Sequence, residues 1–198
     1  MSTGQGFRLA TVSIEQAKSK SWRRERKSRI TSTKGHRLKY VWVNSKGNPD
    51  DPRFLAIFQE KPQEKKKLAK KPQIIYGNEK EPLAKIKFSD VMKLKVCDIG
   101  LVCKEKFSWF GGSPDGMIRL ENGDLVVLEI KCLYSYRDDP KIGKVKCLNK
   151  AGKLKTTHPY YTQIQLNCWV TGAKYAYLFL FTDHDYKTVK VDVDEKFA

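Results

Sequence analysis

Hydrophobic and polar positions in this chain follow two periods, and the clearest stretch is a strand. Val126 to Cys132 reads Val-Val-Leu-Glu-Ile-Lys-Cys, a nearly continuous apolar run of β-branched and aliphatic residues that suits a buried strand. At a side-chain period of two, Val127, Glu129 and Lys131 share one face while Leu128 and Ile130 share the other. The pattern predicts strands near 94–103, 116–121, 125–132, 174–182 and 187–193. Ser13 with Gln16 forms a capping-box pattern that opens a helix to about Arg29, and Ser32 or Thr33 can cap a short second helix. Further helices are predicted from about Ile74 to Met92 and over about 158–171. Residues 44–72, with Gly47-Asn48-Pro49, Pro52, Pro62 and many lysines, read as a loop or excursion. The element order predicts an α/β (α+β) chain, a central mixed β-sheet flanked by helices, with no internal repeat.

Two phrases on these elements carry chemistry. Ser113-Pro114-Asp115-Gly116 is an acidic turn, and Glu129-Ile130-Lys131 follows on the apolar strand. Each alone has an ordinary reading, the first as a Pro-initiated turn and the second as a solvated charge pair. Asn122-Gly123 between them is a strong short hairpin signal, a two-residue type I′ turn. That turn predicts paired positions summing to 245, with Gly116 facing Glu129 and Ile118 facing Val127. Asp115 is then expected diagonal to Glu129, with Cβ atoms roughly 5–8 Å apart. Two carboxylates so close repel unless a cation lies between them. A hard divalent ion with oxygen ligands fits, Mg²⁺ with Mn²⁺ as a substitute, and the carbonyl of Ile130 can supply a third protein oxygen. Lys131 on the same face can reach an attacking water or a scissile phosphate.

In these residues the chain resembles the PD-(D/E)XK nucleases, and within them the lambda-exonuclease-like or YqaJ viral recombinase family. The resemblance runs from about Gln16 to Thr182 in four ordered blocks: Trp22 to Thr33, Gly77 to Ala84, the acidic turn with Leu128 to Cys132, and Tyr160 to Gln165 followed by Trp169 to Gly172. Leu133 stands where the family commonly has proline, and Ser32-Thr33 replaces its Ala-Ser. The resemblance implies a restriction-endonuclease-like core with Asp115, Glu129, Lys131 and Gln163 as catalytic residues. It implies Glu81, Asp115, Glu129 and the Ile130 carbonyl as metal ligands, Glu81 binding directly or through water. Glu79 remains an alternative to Glu81, because acids also suit the first turn of a helix. Arg26 and Arg29, three residues apart, with the hydroxyls of Thr31, Ser32 and Thr33, suit an anion pocket. The resemblance puts a terminal 5′-phosphate there, on Arg26 and Thr33, with Arg29 and Tyr161 as further nucleic-acid contacts. Trp22 reads as a core anchor, and His158 as a residue that opens its helix rather than a base.

Charge sharpens this picture. The chain has 198 residues, 39 basic against 22 acidic, for a net charge of +17. Such a field attracts polyanions and makes binding steeply salt-sensitive. Lys18 to Lys39 holds ten Lys/Arg against Glu25 alone, Lys61 to Lys71 six against one acid, and Lys141 to Lys155 six against none. Three basic runs around a candidate metal site favour a nucleic-acid channel. Five cysteines (97, 103, 132, 147 and 168), odd in number and without a CxxC spacing, predict reduced thiols in an intracellular compartment, nucleus or host cytoplasm. No apolar run reaches the ~18 residues that span a bilayer.

The reading is therefore one nuclease domain over 1–198: an N-terminal helical segment 1–43 that meets DNA, a basic loop 44–72, and a catalytic core 73–198. By resemblance it is a Mg²⁺-dependent deoxyribonuclease that degrades duplex DNA 5′→3′ from an end and leaves 3′ single-stranded tails. Double-stranded DNA ends are the expected partner, together with a single-strand annealing recombinase, and some relatives are homo-trimers. An endonuclease or nickase with the same centre is the alternative, followed by a degenerate basic binding module.

Overall fold

The run that reads as a buried strand, Leu125–Cys132 (β6), is the middle strand of a five-stranded sheet in the computed structural model, which describes residues 14–16, 19–58 and 68–197. Gly116–Arg119 (β5) pairs antiparallel on one side of it and Tyr175–Phe181 (β7) parallel on the other; Val96–Cys97 (β2) and Tyr186–Asp192 (β8) form the edges. Period-two alternation splits the core into two layers. Met117, Val127, Ala176, Leu178 and Leu180 face helix Pro159–Thr171 (α5) through Ile164 and Cys168. Ile118, Val126, Leu128, Ile130, Phe179 and Phe181 face helix Pro72–Met92 (α4) through Ala84 and Phe88. Glu129 lies on the α5 side of β6 and is fully buried. With the remaining helices named below, the architecture is the mixed α+β type.

The β5–β6 hairpin departs from the expected register. Gly116 pairs with Leu128 and Met117 with Val127, so partners sum to 244 and not 245. A type I′ turn needs positive φ at both central residues. Only Gly123 has it, at 87°, so the loop widens to Glu121-Asn122-Gly123, closed by Leu120 N–H to Asp124 O and Gly123 N–H to Leu120 O, both 2.9 Å. The paired register ends at Gly116 opposite Leu128; past it the Asp115 N–H donates to Leu128 O at 3.1 Å, and the Ile130 N–H meets the Asp115 side chain in place of a ladder carbonyl.

Four further expectations are corrected. The first helix is Lys20–Lys27 (α1), capped by Ser19, whose hydroxyl accepts from Trp22 N–H at 3.2 Å. Ser13 lies outside the described residues, and the Gln16 amide is used elsewhere, donating to Ile99 O (3.1 Å) and Pro114 O (2.8 Å). The second helix, Ser32–Asn44 (α2), is not short, and its N-cap is Thr31. A helix at Pro52–Phe58 (α3) stands in the stretch read as a loop. The strand expected over 94–103 is two: Val96–Cys97 stays in the large sheet, whereas Val102–Cys103 (β3) joins a small one, with Asp98-Ile99-Gly100 outside either strand. That small sheet also holds Ile30–Thr31 (β1) and Phe110–Gly112 (β4), which pair in parallel, with Thr31 beside Gly111. Its β4 runs straight into the acidic turn.

Candidate active site

Glu129 is held from three sides. Its Oε1 accepts from Lys131 Nζ at 2.5 Å and from Gln163 Nε2, and its Oε2 accepts from Asn167 Nδ2 at 3.1 Å. Asp115 is aimed by the strand itself, because the N–H of Ile130 donates to its Oδ2 at 2.6 Å. The Ile130 side chain packs in the α4-side core, which leaves only its main chain to the site. Glu81 is half-buried on α4, in the same stripe as Ala84 and Phe88, whereas Glu79 is exposed.

The electrostatics follow from burial. Desolvation, then repulsion from Asp115, pushes Glu81 up to about 7. The same two causes push Glu129 to about 7, against the pull of Lys131. Burial also raises Asp115, opposed by Lys131 and the Ile130 N–H. For Lys131 burial works against the charged form, but attraction to Glu129 and Asp115 and its bond to Glu129 outweigh that and hold it above the usual lysine range. Lys131 is thus a fixed ammonium, also lying 5.1 Å over the Tyr160 ring.

Three carboxylates, with Asp115 raising the proton affinity of both Glu81 and Glu129, around a fixed lysine, suit a divalent cation: all are hard oxygen donors, and a cation removes the repulsion. As they stand, no three His, Cys, Asp or Glu side chains among the described residues form a ready-made metal cage. The chemistry of the donor set fits, with Glu81 the outermost member.

The N-terminal block meets the acidic turn through Trp22, whose indole N–H donates to Ser113 Oγ at 2.9 Å, while Gln16 holds the Pro114 carbonyl. Arg26 stacks 4.4 Å over the Trp22 ring and donates to Thr33 Oγ1 at 3.1 Å; Thr33 Oγ1 lies 2.9 Å from Thr31 Oγ1. Arg26 and Thr33 are therefore brought together at the start of α2. Arg29 is turned to structural ties, with Glu25 at 2.5 Å and the Ser108 carbonyl at 2.7 Å. Tyr161 also points elsewhere, its hydroxyl on Asp194 Oδ2 at 3.1 Å and its ring against Phe197. Gln165 ties α5 to Asp192 O and Asp194 N–H. His158 caps α5, accepting from Tyr160 N–H at 3.2 Å. Burial lowers its pKa and favours the neutral ring that this needs. Sequence reasoning missed Asn167, Gln16 and Tyr160 as neighbours of the site. Asn167 had one usable signal, a polar residue four positions after Gln163 on an otherwise apolar helix face.

A family model for the YqaJ-like viral recombinase domain matches residues 21–174. Among curated proteins no match was found. The fold is shared with an alkaline exonuclease (LHK-Exo) from Laribacter hongkongensis, at a TM-score of 0.62 and 21% identity over 90% of this chain and 84% of that one. A SOX–DNA complex superposes at 0.60 with 12% identity, covering 96% and 66%. The Shutoff and Exonuclease Protein of Kaposi's sarcoma-associated herpesvirus superposes at 0.57 with 12% identity, covering 94% and 65%. At these identities the likeness to solved structures is one of fold. The family match spans most of the chain, including the acidic turn, the Glu129 strand and α5, and on that ground the chain belongs to the YqaJ-like viral recombinase domain family.

Proposed function

We propose that this protein uses the Asp115–Glu129–Lys131 site to hydrolyse duplex DNA 5′→3′ from an end with a divalent metal, Mg²⁺ or, in its place, Mn²⁺. The chain is a nuclease, and the exonucleases that share its fold act on the same class of polymer. The observation that carries the reading is the convergence of a buried Glu129, Asp115 and a permanently charged Lys131 at the end of one strand. Asp115, Glu129 and the Ile130 carbonyl would hold the ion, with Glu81 acting directly or through water. When bound, such an ion makes hydroxide available near neutral pH and polarises the phosphoryl oxygen.

The protein's own residues do the rest. Lys131 offsets negative charge as it develops on the phosphoryl oxygens; held protonated, it does not serve as a base. Gln163 fixes Glu129 and is placed to orient the nucleophilic water. Water attacks phosphorus, the bond to the 3′-oxygen breaks, and the products carry 5′-phosphates. Arg26 and Thr33, beside the start of α2, suit the terminal 5′-phosphate, and the basic runs suit the flanking duplex. Arg29 acts by holding this corner in place. A single catalytic unit spans the chain, with 1–43 as the segment that meets DNA, in an intracellular, reducing compartment. The 3′ tails left behind are substrates for a single-strand annealing recombinase, and closure into a homo-oligomer around the duplex would add processivity.

The deciding experiment digests end-labelled linear duplex with and without Mg²⁺, comparing 5′-phosphorylated ends, 5′-hydroxyl ends and closed circular DNA. Mg²⁺-dependent release of 5′-mononucleotides from phosphorylated linear ends supports the proposal. Cleavage of closed circles at an equal rate would make the enzyme an endonuclease.

A further inference from the structure

Asn167 lies one helical turn beyond Gln163 on α5, outside the motifs that mark the site. Its side chain is completely buried and donates through Nδ2 to Glu129 Oε2 at 3.1 Å. Positions four apart share a helix face, so α5 holds the Glu129 carboxylate by both oxygens, Gln163 on one and Asn167 on the other.

The other end of the Asn167 amide is unusual. Its Oδ1 is buried without a hydrogen-bond partner among the described residues. An orphaned acceptor costs free energy, a cost that an apolar side chain of the same branching, such as leucine, would not carry. The facing strand makes room for the amide: a Cβ at Gly112 would fall 2.6 Å from Asn167 Oδ1 and 2.6 Å from Val170 Cγ2. A bare glycine and an unsatisfied carbonyl thus accompany one N–H placed on Glu129.

A carboxylate oxygen has two in-plane acceptor directions. On Oε1 both are taken, by Lys131 and Gln163; on Oε2 Asn167 takes one. We propose that Asn167 is a positioning residue for divalent-ion binding: by occupying one side of Oε2 it fixes the carboxylate plane and decides which direction of Oε2 stays open to the ion. This inference rests on the metal-dependent reading of the site.

The test measures Mn²⁺ binding by calorimetry, and the rise in Tm that saturating Mn²⁺ produces over chelator, without DNA. The variants are Asn167→Leu and Asn167→Ser, with Val170→Ala as a neighbouring core control on the same helix. Both Asn167 variants should bind Mn²⁺ about ten-fold or more weakly, with a smaller metal-induced rise in Tm, as expected when the group that orients a ligand is lost. Val170→Ala should lower Tm in chelator yet bind Mn²⁺ as the wild type does. Mn²⁺ affinity of Asn167→Leu within roughly two-fold of wild type overturns the proposal, as does an equal loss in the Val170 control. Should the leucine variant not fold, the smaller serine variant decides on the same criterion. A wild-type protein that binds no Mn²⁺ fails at the earlier step and removes the metal reading along with this one.

Discussion

The N–H of Ile130 donates to Asp115 Oδ2 at 2.6 Å, so the strand that carries Glu129 also aims the second carboxylate. Cleavage and folding therefore report on Asp115 differently. Asp115→Asn keeps an acceptor for that N–H while removing the charge. It should lower cleavage by about 10³-fold or more and leave duplex affinity largely intact, checked by single-turnover digestion beside a mobility-shift titration. Unchanged cleavage would remove Asp115 from the reaction.

Lys131 offers a second separation. Lys131→Met keeps the length of the side chain and removes the ammonium that opposes the rise in the Glu129 and Asp115 pKa values. The turnover rate should fall about 10²–10³-fold. The acidic limb of its pH profile should move to higher pH, because both carboxylates then hold their protons more tightly. A profile displaced toward lower pH contradicts the arrangement.

Stability should depend on pH with a definite sign. Glu81 and Glu129 titrate near 7 in the folded chain and near 4.5 when unfolded. Between those values the folded state holds more protons, so the contribution to stability is full below about 4.5 and is lost as pH rises through about 7. In chelator, Tm should decline from pH 5 to pH 8, and Mg²⁺ should raise Tm more at pH 8 than at pH 5. Differential scanning fluorimetry at both pH values tests this, and an Mg²⁺ effect larger at pH 5 would refute it.

The corner formed by Arg26 and Thr33 should govern end recognition and not chemistry. Thr33→Val removes the hydroxyl that joins Arg26 to Thr31. It should reduce the preference for 5′-phosphorylated over 5′-hydroxyl ends by about ten-fold, the scale of one or two charge-assisted bonds, with the rate on hydroxyl ends little changed. Equal losses on both ends would assign the corner to general duplex binding.

The hairpin turn can be tested independently of activity. Gly123 has φ of 87° and an open surrounding, so Gly123→Ala introduces backbone strain without a clash. A loss of about 1 kcal/mol is expected by urea unfolding. A neutral result would mean that the loop rearranges.

Much of this molecule was legible from residue order alone. The β6 run has the predicted bounds because a strand buried on both faces is apolar at nearly every position, and the helices around Gly77 and Gln163 and the last two strands appear close to where their patterns place them. The hairpin register was not legible, because Asn122-Gly123 fits both a two-residue loop and the three-residue loop Glu121-Asn122-Gly123, which differ by one position in register, and local sequence does not choose between them. The small sheet was equally hidden: two- and three-residue strands such as β1 and β4 have no periodicity to read and exist only because distant segments pair. Glu81 and Glu79 became distinguishable only once helix packing half-buried one and left the other in solvent.

Sequence by itself determined the inventory: which residues can ionise, which strand and helices bear them, and the positive charge that draws a polyanion. Tertiary structure alone decided how they meet. It aimed Asp115 from the strand that carries Glu129, turned Arg29 and Tyr161 toward structural partners, and brought Asn167 onto the carboxylate. The reason is physical: period and propensity act over a few residues along the chain. The field at a buried carboxylate depends on whatever packing places within a few ångströms of it.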